Sequence, residues 1–249
     1  WGLVPADAEG DTYLATLATE GPMGRSIEDI ARLLAVQAGE NPEVPFGRPV
    51  EDYVAALDRD VKGLRIGWLA DWGGAYAMEP GILAQCEAAL RQFEEMGAVV
   101  EPLPPPFPAE KLWQSWVTLR AMLNAGGFRA LWADPAKRDQ LKPETQWEIR
   151  QGMGLSAAEV YEASVIRSRW HAHAARLFTR YDLIALPTAQ VWPFPADWRW
   201  PEEIAGRKMD TYHRWMEVVI PVSLIGLPAL SVPVGFGAAG LPMGMQLAG

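Results

Sequence analysis

Cys86 is the only cysteine in the chain. A single thiol closes no internal disulfide, so the cross-linked scaffold of small secreted proteins is excluded. Basic residues are in the minority: Lys plus Arg is 22, Asp plus Glu is 31, and the net charge is −9. No segment gathers the basic patch that phosphate binding and counterion release require, which argues against a nucleic-acid partner. Long apolar runs are lacking too. The longest, Val218 to Phe236, is broken by Pro221, Gly226, Pro228, Pro233 and Gly235, a spacing that interrupts a membrane helix and argues against a membrane partner. Trp1-Gly2-Leu3-Val4-Pro5 has no basic stretch leading into an apolar one, so no signal peptide is expected. Both this start and the last segment, Met243 to Gly249, read as cuts within a larger chain. The expected compartment is the cytoplasm.

What is present is enough apolar material for a sizeable core: 249 residues, 49% hydrophobic and 21% charged. Ser26 precedes Ile27, Ile30, Ala31, Leu34 and Ala38 at helical spacing, with Asp29 placed for a capping box and Gly39 for a stop. Residues 40–60 read as a proline-bearing linker with a short amphipathic piece at Tyr53 and Leu57. Leu64–Leu69 reads as a strand, followed by the Gly73-Gly74 loop. Pro80 opens a helix whose inner face carries Ile82, Leu83, Cys86, Leu90, Phe93 and Met96. Gly97 stops it, and Ala98–Val100 is a second strand. Strand, helix and strand in so short a span form a crossover unit.

The run Pro102 to Pro108 fits neither helix nor central strand and marks a boundary. Residues 109–180 read mostly as helices, one of them capped by Ser156 and Glu159. Asp182–Leu186 is a buried strand stopped by Pro187. A loop rich in Pro and Trp fills 187–210, and two short strands follow near Ala229–Val232 and Met243–Leu247, with Pro233 and Gly235 ending the first. Strands scattered among helices indicate an α/β domain with a central mixed sheet.

No self-contained active site is legible in these residues. There is no G-x-S-x-G elbow and no glycine-rich phosphate loop. His171 and His173 lie two residues apart, so on a helix they point to different sides and share a metal poorly. His213 stands in the aromatic stretch Tyr212–Trp215, where packing is the simpler role. Cys86 falls on an apolar helix face, where an inert thiol is expected. The pairs Glu94-Glu95 and Glu202-Glu203 read as solvated faces.

Four ordered segments carry a resemblance. They are Glu20-Gly21-Pro22-Met23-Gly24-Arg25-Ser26 with Ile27-Glu28-Asp29; Leu64-Arg65-Ile66-Gly67 with Gly97-Ala98-Val99-Val100; Tyr181-Asp182-Leu183-Ile184-Ala185-Leu186-Pro187-Thr188; and Ile220–Phe236 with Gly240-Leu241-Pro242-Met243-Gly244-Met245-Gln246. Together they resemble the amidase signature family, the first as its GPMxRS-x-x-D element and the last as its C-terminal signature. The resemblance implies an amidase-signature-like fold, a mixed sheet covered by helices on both faces, of which residues 1–249 are the C-terminal portion of a single domain with a mostly helical insertion near 109–180.

The resemblance also implies the chemistry: hydrolysis of carboxylic acid amides by a Ser–cis-Ser–Lys triad, without a cofactor. The motifs that hold the triad are not found here. Trp1–Pro5 resembles the stretch just past the family's nucleophile, so the triad is expected upstream of Trp1 and no catalytic residue is assigned in this chain. In the family the segment before the I-P-V-x-L-x-G-L-P motif lines the substrate channel, which makes Trp215, Met216 and Val219 pocket candidates, and Trp192 joins them from the tryptophan-rich loop. Glutamine-using members, the amidotransferase A subunits, carry an amine-gripping acid where this chain has Met216. The leading expectation is therefore a small or aryl amide as substrate, with a homodimer left open. The alternatives are a truncated, non-catalytic remnant or binding partner and a glutamine-dependent amidotransferase A subunit.

Overall fold

The computed structural model describes residues 2–5 and 11–249, which divide into two compact units, 1–60 and 61–249. Trp1, on which part of the expected nucleophile-proximal stretch rests, lies outside the described residues. In the first unit the helix α1 (Ile27–Gln37) is capped by Ser26, which supplies one half of the expected capping box. Ser26 accepts a hydrogen bond from the Asp29 amide at 3.1 Å, which satisfies one free donor of the first turn. The Ala38 amide closes the other end on Leu34 O. Residues 40–60 form turns, with no regular helix or strand.

The second unit is built on a five-stranded sheet. Its strands are β1 (Arg65–Trp68), β2 (Val99–Pro102), β3 (Leu183–Pro187), β6 (Ala229–Phe236) and β7 (Pro242–Ala248), in the order β2-β1-β3-β7-β6. β1 runs parallel to β2 and β3, while β7 is antiparallel to β3 and β6. The sheet is thus mixed, as expected. The crossover from β1 to β2 is α2 (Ile82–Glu95), whose Ile82, Cys86 and Leu90 are buried. Gly81 at φ +91° and Gly97 at φ +96° bracket it, conformations that glycine alone adopts at no steric cost. Met96, assigned to the same apolar face, is half-exposed instead, because it sits past the last turn.

Alternation along β7 divides the two sides of the sheet. Met243, Met245 and Leu247 join Ile66, Trp68 and Ala185 in the core beneath α2. Gln246, between them, turns to the opposite face and hydrogen-bonds Val218. Burial pushes the Cys86 thiol in that core up to about 12, so it stays neutral and inert.

Between β2 and β3 the chain makes a helical excursion: α3 (Ala109–Gly127), α4 (Arg129–Ala133), α5 (Pro135–Arg138), α6 (Pro143–Gly154) and α7 (Ala157–Leu177). The α7 capping box is reciprocal, with Ser156 Oγ accepting from the Glu159 amide and Glu159 accepting from the Ser156 amide. His171 and His173 on α7 have separate backbone partners, Ile225 O and Arg169 O. Within the tryptophan-rich loop lies a small hairpin, β4 (Glu203–Ile204) and β5 (Arg207–Lys208), too short to show in the sequence. A 3-10 turn (Arg214–Val219) and α8 (Ile220–Ile225) then lead to the final hairpin. Among the described residues no helix is long and apolar enough to cross a membrane.

One expectation is corrected. β6 does not end at Val232 but continues through Pro233 and Gly235 to Phe236, with its register shifted between those two residues. β6 is an edge strand, where proline removes no ladder bond that the sheet needs, and a bulge absorbs the irregularity. For the same reason β6 is largely exposed while its partner β7 is buried.

A tight helix approach sits at Gly152 of α6, where a Cβ would come within 2.0 Å of Ala121 O on α3. Gly152→Ala is expected to lower unfolding stability by about 1–3 kcal/mol through overpacking. Gly154→Ala, where a Cβ meets nothing, should be neutral or slightly stabilising. Chemical denaturation of both variants beside the parent checks the pair.

Candidate functional site

Pro221 at the start of α8 fixes φ for a helical entry. Immediately before it, the segment 214–219 tightens into the 3-10 turn. Residues three apart lie close in such a turn, and Arg214 and Glu217 form one stripe joined by their ion pair. Met216 departs from helical geometry, at φ −113° and ψ 19°, and kinks the segment at its middle.

The Arg214–Glu217 stripe faces a cleft of about 350 Å³ whose lining includes Glu110, Gln190, Lys208 and Asp210. The Arg214 guanidinium organises it. Nε and Nη2 donate to the two oxygens of Asp210 at 3.0 and 3.1 Å, and Nη1 donates to Glu217 Oε1 at 3.0 Å. Glu110 Oε2 lies 3.4 Å from the same nitrogen, and the guanidinium carbon sits 3.7 Å from the Trp113 ring centroid. Such planar stacking with bidentate pairing is specific to arginine.

Glu217 is buried. Its removal from water raises its carboxyl to about 7, against the opposing attraction of Arg214 and with further help from the charges of Glu110 and Asp210. Burial also works against the charge on Arg214, but its carboxylates outweigh that and hold its pKa above the usual value. The buried Tyr76 hydroxyl has no hydrogen-bond partner, and burial, then the Glu217 charge, raise its pKa. A carboxyl poised near neutrality can give or take a proton. The cleft lining, however, offers no hydroxyl or thiol nucleophile beside it.

Behind this turn is an aromatic nest. The His213 ring lies 5.5 Å from Trp116, 6.2 Å from Trp147 and 5.1 Å from Tyr212. Its Nε2 stands 3.1 Å from Glu148 Oε1, off the axis of a well-formed hydrogen bond. Glu148 also accepts from Arg120 Nε. Burial pushes the Glu148 carboxyl up, yet His213 and Arg120 together bring it below its ordinary value. His213 is therefore packed rather than solvated, the simpler role its aromatic neighbours suggest.

The four pocket candidates fall in different places, and none lines the cleft. Trp192 donates its amide to Glu79 Oε2 at 2.7 Å and its indole N–H to Pro80 O at 3.1 Å, and its ring packs beside Gly237 and the α2 core. Trp215 stacks edge-on against Phe194 at 5.4 Å, with its indole nitrogen buried and unpartnered. Met216 and Val219 are half-buried.

Sequence reasoning passed over Arg214, Glu217, Gln190 and Gln246. The acid three residues after an arginine, and a glutamine among Met243, Met245 and Leu247, were the available signals. Among the described residues no group of three or more His, Cys, Asp or Glu side chains is placed to hold a metal.

Comparison with known proteins places this geometry. The family model described as Amidase matches residues 1–249. The A subunit of the glutamyl-tRNA(Gln) amidotransferase of Thermosynechococcus vestitus is 30% identical over 260 residues, covering 95% of this chain and 52% of that protein. An acylamidase of Rhodococcus erythropolis is 28% identical, covering 93% of this chain and 48% of that protein. The crystal structure of a bacterial aryl acylamidase of the amidase signature enzymes superposes with a TM-score of 0.88 at 24% identity, covering all of this chain and 53% of that one. The chain thus spans about half the length of the relatives it matches.

Glu217 sets a pH dependence. Its folded value of about 7 lies above the ordinary 4.5, so between those values the folded state binds more proton than the unfolded one. The contribution is present in full below about pH 4.5 and is lost as pH rises to about 7, by a ceiling of roughly 3 kcal/mol at ~1.4 kcal/mol per unit. Glu217→Gln should flatten that slope, as read from denaturation midpoints at pH 5 and pH 8 in parent and variant. An unchanged slope would place the Glu217 carboxyl in its ordinary range.

Proposed function

The chain belongs to the amidase signature family, and from that premise we propose that the full-length protein hydrolyses carboxylic acid amides, with this portion supplying scaffold and one wall of the substrate pocket. The observation that carries the reading is the amidase match along all 249 residues, supported by the acylamidase relative and the fold shared with an aryl acylamidase. The nucleophile and base belong to sequence outside residues 1–249. The wall is apolar: Trp215, Met216 and Val219 come from the 3-10 turn, and Trp192 comes from the tryptophan-rich loop. Such a surface suits an aryl or small aliphatic acyl group better than a charged one. The single thiol favours a reducing compartment, the cytoplasm.

A second reading has its own support. The Thermosynechococcus relative is an amidotransferase component that acts on glutamyl-tRNA(Gln) by name, so a glutamine-dependent role with partner subunits is the competing function. Against it stand Met216, where the family resemblance puts an amine-gripping acid, and the acidic charge of −9, which disfavours a tRNA partner.

The test is amine release by the full-length protein from a panel of anilides, aliphatic primary amides and glutamine. Hydrolysis of anilides or small amides without partner subunits is the expected result. Glutamine hydrolysis alone, and only with partner subunits present, would transfer the assignment to the second reading.

A further inference from the structure

Two buried glutamines from distant parts of the chain meet on the backbone of one residue, Val218. Gln190 is fully buried; its Oε1 accepts the Val218 N–H at 3.0 Å, and its Nε2 donates to Ala77 O at 2.9 Å. Its own backbone carbonyl accepts the Glu79 N–H at 2.9 Å, which ties it to the start of α2. Gln246 lies on β7, where its neighbours Met245 and Leu247 face the core beneath α2. Turned the other way and buried, it donates Nε2 to Pro187 O at 2.9 Å and to Val218 O at 3.1 Å. The N–H and the C=O of Val218 are therefore both held by side chains.

The geometry points to Gln190 and Gln246 as positioning residues that set the placement of Met216 and Val219, and so the acyl specificity of the pocket wall, an inference that rests on the proposed amide hydrolysis. The chemistry at 246 is restrictive. Two carbonyls converge there, so the side chain must bring two N–H donors without a charge, which an amide does and a methionine, leucine or glutamate does not. An apolar side chain would fill the volume but leave both buried carbonyls unmatched. At 190 the amide uses donor and acceptor at once, so flipping it would break both bonds. Val218 lies between the two wall residues, and its own side chain is fully buried. Its N–H and C=O belong to the two peptides that flank it, so a backbone shift at Val218 is passed to Val219 on one side and toward Met216 on the other. The kink at Met216 interrupts the turn just ahead of Val218, where the side-chain clamp holds the backbone.

The experiment compares Gln246→Met and Gln190→Met with Met245→Ala in the full-length protein. Met245→Ala perturbs the same strand but faces the opposite core. The readouts are kcat and KM for a series of anilides of increasing acyl size, and hydrogen exchange of the segment 214–219. Both glutamine variants are expected to change the ratio of kcat/KM between bulky and small acyl groups by roughly tenfold, mainly through KM. They should also speed exchange at Val218. Met245→Ala should lower thermal stability and leave both readouts at the parent's values. Glutamine variants that lose stability but keep the parent's acyl profile and exchange overturn the proposal. A parent that hydrolyses no amide overturns the functional reading instead; the exchange measurement then decides the clamp alone, and fast exchange of Val218 in the parent rejects it.

Discussion

Everything in the larger unit depends on β3 hydrogen-bonding on both sides. On one edge it pairs in parallel with β1, and on the other antiparallel with β7. Without it the β1-α2-β2 crossover and the β6-β7 hairpin would be separate fragments, each with an apolar face and an open edge. Its residues suit the position. Ile184, Ala185 and Leu186 are fully buried, with Ala185 toward α2. Asp182 just ahead of it receives the Arg65 amide at 2.8 Å, which fixes where the parallel pairing starts. The side chains that shape the candidate site are placed from this frame: Gln190 follows β3, Gln246 lies on its neighbour, and the 3-10 turn rests against both.

The elements with strong periodicity were legible in the sequence. Helix α2 shows its buried stripe, Ser156 and Glu159 announce α7, and the apolar run at 183–187 reads as a buried strand because β-branched and aliphatic residues are bounded by an acid and a proline. Failures came where tertiary context overrides local preference. Pro233 and Gly235 are ordinary strand terminators, yet on an edge strand with a bulge they are tolerated. The β4-β5 hairpin has two residues per strand, too few to show alternation. In the site, the tryptophans drew attention because they are abundant, but Trp192 has both its nitrogens engaged by the backbone and side chain of the segment before α2. Gln246 is the reverse case. It looks like a surface residue in a strand of unknown facing, and only the sheet shows that it is buried.

The short turn at 214–219 carries polar and apolar side chains that obey different physics. Arg214 and Glu217 share a polar stripe in which burial raises the Glu217 carboxyl while the cation beside it opposes that rise, an arrangement that is broken more easily than it is replaced. Met216 and Val219 flank an apolar residue, Val218, whose backbone is held by the side chains of Gln190 and Gln246.

The order of the strands also governs how the protein is made. β1 and the segment that enters β3 are 117 residues apart, because the helical excursion is interposed. At about 5–20 residues per second, roughly 6–23 s of synthesis separates a nascent β1 from the partner that covers its inner edge. During that interval the β1-β2 pair leaves the ribosome with one row of backbone donors and acceptors unmatched. The late arrival of β3 thus leaves that edge open for longer than a contiguous sheet would.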